Sequence, residues 1–232
     1  MYRFLRLLFL FMVLLYHEKV TTMTTVVFEV IILIFSAVIH EVSHGFVADK
    51  LGDPTARLSG RLTLNPLKHL DPFGSVILPL LLALIPGGII FGWAKPVPYN
   101  PYNLKDPEKG AAKIAAAGPL SNFALALVFG ILFRITAPYN TGILASFNAF
   151  AGIIVAINVL LGVFNLVPIP PLDGAKVLTA ALPDRAWKVK RFLAENNPYG
   201  WFILVAFIFF GFSVITPIIS FIFRIFTGIP LY

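Results

Sequence analysis

Four long apolar stretches constrain this chain more than any other feature: Thr24–Ala48, Ala111–Phe133, Ile143–Val167 and Tyr199–Phe226. Each is close to or longer than the roughly 20 residues that cross a hydrocarbon core. Backbone in lipid must satisfy its own hydrogen bonds, so stretches of this length are helices. Composition agrees, with 58% hydrophobic residues, 12% charged and a mean hydropathy of +0.87. A soluble domain carries about a quarter charged residues. The chain therefore reads as an all-α polytopic protein of the cell membrane. Pro217 predicts a kink or tilt in the last stretch.

Two further apolar stretches need more argument. Leu7–Tyr16 follows Arg3 and Arg6, is too short to span and resembles a signal-type segment. No small-residue cleavage site follows it, since His17, Glu18 and Lys19 come next. Alternatively, Met23 is the start and the first 22 residues lie upstream of it. Both readings stay open, so residues 1–22 are set apart as an N-terminal apolar segment and 23–232 as one transmembrane domain.

The second stretch, Phe73–Phe91, is interrupted by Pro79, Pro86, Gly87 and Gly88. If it dips into the membrane and returns, 13 of the 18 basic residues share one side: Lys50, Arg57, Arg61, Lys68, Lys95, Lys105, Lys109, Lys113, Lys176, Arg185, Lys188, Lys190 and Arg191. If it crosses, the same residues split 4 against 9. The positive-inside rule favours a re-entrant hairpin with the basic side cytoplasmic. The same distribution explains the net charge of +7 without nucleic acid, for which no basic and aromatic groove pattern is present. There is no cysteine, which removes thiolate ligands, disulfides and cysteine nucleophiles.

The chemistry lies in His40-Glu41-Val42-Ser43-His44. On a helix the two histidines stand one turn apart on one face and can share a metal ion. Glu41, rotated by one residue, falls beside the open coordination position. From there it can take a proton from water and return it to a leaving group. This cluster ends the apolar run Val26–Ile39, where ionisable residues are costly and functional by default. A catalytic zinc takes three protein ligands. His17 and His69 sit among charged and proline-rich loop residues and read as solvated. Asp173 is the better candidate: Pro168, Pro170 and Pro171 stop the Ile143–Val167 helix, and Gly174 is expected to let the backbone turn sharply. With a re-entrant hairpin, Thr24–Ala48 and Ile143–Val167 run in the same direction, so His40, His44 and Asp173 reach one membrane face.

These motifs, with Gly118-Pro119-Leu120-Ser121-Asn122 and Asn165-Leu166-Val167-Pro168 leading to Leu172-Asp173-Gly174, resemble the site-2 protease family of intramembrane metalloproteases. Gly92-Trp93-Ala94-Lys95-Pro96-Val97 resembles a motif of its compact branch, which has no PDZ or CBS module. The resemblance implies a three-helix catalytic core, here Thr24–Ala48, Ala111–Phe133 and Ile143–Val167, beside the hairpin and a further transmembrane helix. It also implies one zinc per chain on His40, His44 and Asp173, Glu41 as the base, and Asn165 on the substrate or oxyanion side. The activity implied is regulated intramembrane proteolysis: cleavage of transmembrane protein substrates from the cytoplasmic side. Oligomeric state is left open.

Other features carry structural expectations. Glu29 reads as a first-turn carboxylate near the outer interface, Gly118-Pro119 as a close helix contact, Val177–Leu193 as an amphipathic surface helix and Arg57–Leu64 as a short hairpin. A membrane metal carrier using the same ligands, or a silent scaffold for transmembrane segments, are the rival functions. Neither needs a base at Glu41.

Overall fold

The computed structural model describes residues 23–69, 71, 77, 95–194 and 197–231. The N-terminal segment, nearly all of the hairpin expected at 73–91 and Gly92-Trp93-Ala94 lie outside these residues. Among the described residues the regular structure is helical, with no β-strand. The long helices are α1 (Met23–Lys50), α3 (Pro107–Thr136), α4 (Ile143–Asn165) and α7 (Gly200–Thr227), the last containing a π-helical turn at Phe207–Gly211. All four are long and apolar enough to cross a membrane. The short helices are α2 (Thr55–Leu58), α5 (Asp173–Ala181) and α6 (Trp187–Leu193).

Helix ends follow local chemistry more than hydropathy. Helix α3 begins before the apolar run because Asp106 caps it, accepting from the Lys109 amide at 3.0 Å, with Pro107 in the first turn. Helix α4 stops at Asn165, short of the three prolines that follow. It is the central helix. Val155, Val159, Leu161 and Phe164 pack with Leu33 of α1, Ala126 of α3 and Leu204, Ile215 and Phe223 of α7. Missing side chains let the helices close on one another: a Cβ on Gly162 would lie 2.8 Å from the Phe123 ring, and one on Gly130 2.8 Å from Phe226.

The contacts also fix direction. Helices α1 and α4 run in the same direction, with Phe28 against Phe150 near their starts and His40 against Asp173 just beyond the end of α4. Helices α3 and α7 run the opposite way. Gly200 at the start of α7 lies under Pro170, and at the far end Arg134 donates to the Phe226 carbonyl at 2.9 Å. The backbone amide of Lys95 donates to the His69 carbonyl at 2.7 Å. Residues 69 and 95 thus meet on one face.

Four expectations are corrected. Arg57–Leu64 forms no hairpin: Asp53 accepts from the Thr55 amide and hydroxyl and starts the helical turn Thr55–Leu58 instead, which Gly60 ends at φ +63°. The predicted surface helix Val177–Leu193 is two helices, broken at Leu182-Pro183 because the residue before a proline turns extended, here with ψ 141°. Glu29 lies in the second turn of α1 and is only 4% exposed, at a level where Phe28 stacks against Phe150 of α4 with ring centroids 4.2 Å apart. His69 is 2% exposed, not solvated, and its Nε2 lies 2.8 Å from the Thr63 carbonyl as the 61–69 loop folds back.

Candidate metal centre

Helices α1 and α3 meet in antiparallel register along positions spaced by four residues. Ser36, His40 and His44 of α1 face Ile114, Gly118 and Asn122 of α3, of which Ile114 offers its carbonyl and Asn122 its side chain. His44 Nδ1 lies 2.6 Å from the Ile114 carbonyl. A carbonyl only accepts, so Nδ1 carries the proton and Nε2 is left with its lone pair. His40 Nδ1 lies 2.6 Å from Asn122 Oδ1. The orientation of that amide is set in turn, because Asn122 Nδ2 donates to Asn158 Oδ1 at 3.0 Å, and Asn158 Nδ2 donates to Ser36 Oγ at 3.0 Å. This network joins α1, α3 and α4. Its members are buried, at a depth where an unpaired amide would cost several kcal/mol.

Both imidazoles therefore present Nε2 to the same space. Asp173 is the first residue of α5, and its Oδ2 lies 3.0 Å from His40 Nε2 and 3.3 Å from His44 Nε2. Tetrahedral zinc with bonds of about 2.0–2.1 Å places neighbouring ligand atoms about 3.3 Å apart. Gly174 is not in the left-handed conformation that a sharp turn would require. It serves by having no side chain, since a Cβ there would lie 2.1 Å from the Leu166 carbonyl. That contact seats α5 on the end of α4 and aims Asp173 back toward α1.

Gly118 is a close contact with α1: a Cβ on it would stand 2.4 Å from His40 Nε2 and 2.5 Å from His44 Cε1 and Nε2, so only glycine lets α3 lie against both imidazoles. The donor set and its tautomers fit a zinc ion. Glu41, 4% exposed, accepts at Oε2 from the Val97 amide at 2.8 Å. Asn165, the last residue of α4, turns back and donates from Nδ2 to the Leu161 carbonyl at 2.8 Å. Asn158 and Ser36 were not singled out from the sequence, marked only as polar letters inside apolar runs. Asn122 and Val97 entered only as members of the motifs Gly118–Asn122 and Gly92–Val97, and Gly118 as a close helix contact.

A family model for peptidase family M50 matches residues 135–211. YwhC of Bacillus subtilis is 39% identical over 184 residues, which cover 77% of this chain and 79% of that protein. The chain belongs to peptidase family M50. Two further relatives are Rip2 of Mycolicibacterium smegmatis, 31% identical over 177 residues (74% of this chain, 62% of Rip2), and MJ0611 of Methanocaldococcus jannaschii, 45% identical over 93 residues (39% and 46%). All three bear the name "Putative zinc metalloprotease". No solved structure matches the chain. As an M50 peptidase with four apolar helices the chain is a multi-pass membrane zinc metalloprotease. In this M50 member His40, His44 and Asp173 form the one group of three side chains among the described residues that could hold a metal ion.

Proposed function

We propose that this protease cleaves transmembrane protein substrates in or near their membrane-spanning segments, in regulated intramembrane proteolysis, from the cytoplasmic side of the cell membrane. His40, His44 and Asp173 hold one zinc, and Glu41 is the general base. One observation carries the reading: two Nε2 lone pairs and a carboxylate converge beside Gly118. His44 stands six residues before the end of α1, about 9 Å at 1.5 Å per residue. That depth suits a bond in the outermost turns of a substrate helix, which must unwind because its carbonyls are hydrogen-bonded and crowded. The excess of basic residues on this face favours the cytoplasmic assignment.

Zinc bound by the three ligands supplies Lewis acidity to the scissile carbonyl and to the attacking water. The Glu41 carboxylate accepts one proton as the water oxygen bonds to the carbonyl carbon. It then delivers that proton to the amide nitrogen as the carbon–nitrogen bond breaks, leaving a carboxylic acid and an amine. Asn165, once its amide leaves the Leu161 carbonyl, is the donor we assign to the oxygen that gains negative charge.

A metal carrier or a silent scaffold has no use for Glu41. The deciding experiment compares bound zinc and cleavage of a single-span substrate in wild type and Glu41→Gln. Zinc should stay at one per chain while cleavage falls about 10²–10⁴-fold. Cleavage by the Gln variant at the wild-type rate would mean the mechanism is wrong.

A further inference from the structure

The segment that touches Glu41 is built to hold one donor in place. In Lys95-Pro96-Val97-Pro98 two of the four residues have no amide hydrogen, and Lys95 and Val97 are kept extended by the prolines after them. Val97 offers the one N–H between Lys95 and Tyr99, and it donates to Glu41 Oε2 at 2.8 Å. Its side chain is buried against α1 one turn further on. A Cβ on Gly45 would lie 2.6 Å from Val97 Cγ1, so only glycine lets the segment approach this closely.

Both ends of the segment are tied. At the first, the Lys95 amide donates to the His69 carbonyl at 2.7 Å. At the second, Asp53, just beyond α1 and 0% exposed, accepts from the Asn100 amide at 2.6 Å and from Asn103 Nδ2 at 2.7 Å. It also accepts from the amide and hydroxyl of Thr55. Asp53 lies twelve residues after Glu41 and has no part in the chemistry itself. A fully buried carboxylate in this setting is retained only when hydrogen-bonded throughout, and here two of its four donors come from the chain that carries Val97.

We infer that Asp53 is a positioning residue for Glu41: by anchoring Asn100 and Asn103 it holds the Val97 amide on the carboxylate and fixes where that carboxylate points. This rests on Glu41 being the general base. The role belongs to the proton transfers and not to metal binding, since neither Asp53 nor Val97 supplies an atom to the group His40, His44 and Asp173.

The test uses full-length, zinc-loaded protein and three readouts. In Asp53→Asn, hydrogen exchange in the peptide spanning 95–104 should rise at least about tenfold, the loss expected for one hydrogen bond to a charged group. Exchange in α3 and α4 should not change. Zinc should remain at one per chain. For a single-span substrate, kcat should fall about tenfold with KM unchanged, a part of the 10²–10⁴-fold that acid–base assistance contributes. Asn103→Ala should move exchange and kcat in the same direction by less, and it carries the test should Asp53→Asn not fold. Unchanged exchange at 95–104, or a fall in kcat matched by loss of zinc, overturns the inference. Full cleavage by Glu41→Gln would instead overturn the assignment of the base, and the exchange result would stand apart from it.

Discussion

Replacing Gly118 with alanine adds one methyl group to the middle of α3, where alanine is favoured over glycine by about 1 kcal/mol. On helix propensity alone the variant should be more stable than wild type. The structure predicts that it cannot hold zinc. The new Cβ would lie 2.4 Å from His40 Nε2 and 2.5 Å from His44 Nε2. Ordinary contact begins at about 3.4 Å, so each ring must withdraw by about 1 Å, roughly five times the 0.2 Å by which ligand distances in a metal site vary. Neither ring can swing aside freely, because their Nδ1 atoms are held at 2.6 Å by Asn122 and by the Ile114 carbonyl, one turn either side of Gly118 on the same helix. A loss of at least about 100-fold in zinc affinity, about 2.7 kcal/mol, follows. Metal per chain and chelator competition measure it directly. Thermal unfolding supplies a second check: chelator should lower the wild-type midpoint and leave that of Gly118→Ala where it was. A variant that binds one zinc with wild-type affinity would refute the role of Gly118 in seating His40 and His44 as ligands.

Asp173→Ala should also lose most of its zinc, since the site has no spare protein ligand, and full retention would show that the third ligand lies elsewhere. Asn122→Ala leaves His40 Nδ1 without its acceptor and should weaken zinc binding about 10–100-fold, measured by the same competition. Single cysteines at positions 68 and 95 should both be labelled from the cytoplasmic side; labelling from opposite sides would contradict the contact between residues 69 and 95. Burial raises the Asp53 carboxyl, but its hydrogen bonds from Thr55, Asn103 and Asn100 lower it by more. A carboxyl depressed in the fold stabilises above its unfolded value of about 3.9 and loses that contribution as pH falls through the lower folded value. Thermal melts across that acid range should therefore fall more steeply for wild type than for Asp53→Asn.

The four apolar helices and the grouping of His40, His44 and Asp173 were legible in the sequence. Apolar length, a spacing of four and the placement of basic residues each have a physical meaning that survives without coordinates. His69 was misread because burial of a loop histidine depends on how residues 61–69 fold back, which its neighbours Lys68 and Pro66 do not reveal. The expected turn at Gly174 failed for a related reason. Glycine signals either a special φ or a missing Cβ, and only the carbonyl of Leu166 at 2.1 Å says which.

The remaining gap concerns the groups around the ligands. Ser36, Asn122 and Asn158 are visible letters, but their pairing depends on the rotation of three helices about their axes, which no single apolar run fixes. The other partners are not side chains at all. His44 is held by the carbonyl of Ile114 and Glu41 by the amide of Val97, and every residue has a carbonyl and nearly every one an amide. A sequence can mark such groups only indirectly, by removing their competitors. It does so at one of them: Pro96 and Pro98 leave Val97 as the one N–H between Lys95 and Tyr99. The prolines flanking Val97 thus select a backbone group in the way that the histidine spacing selects a metal.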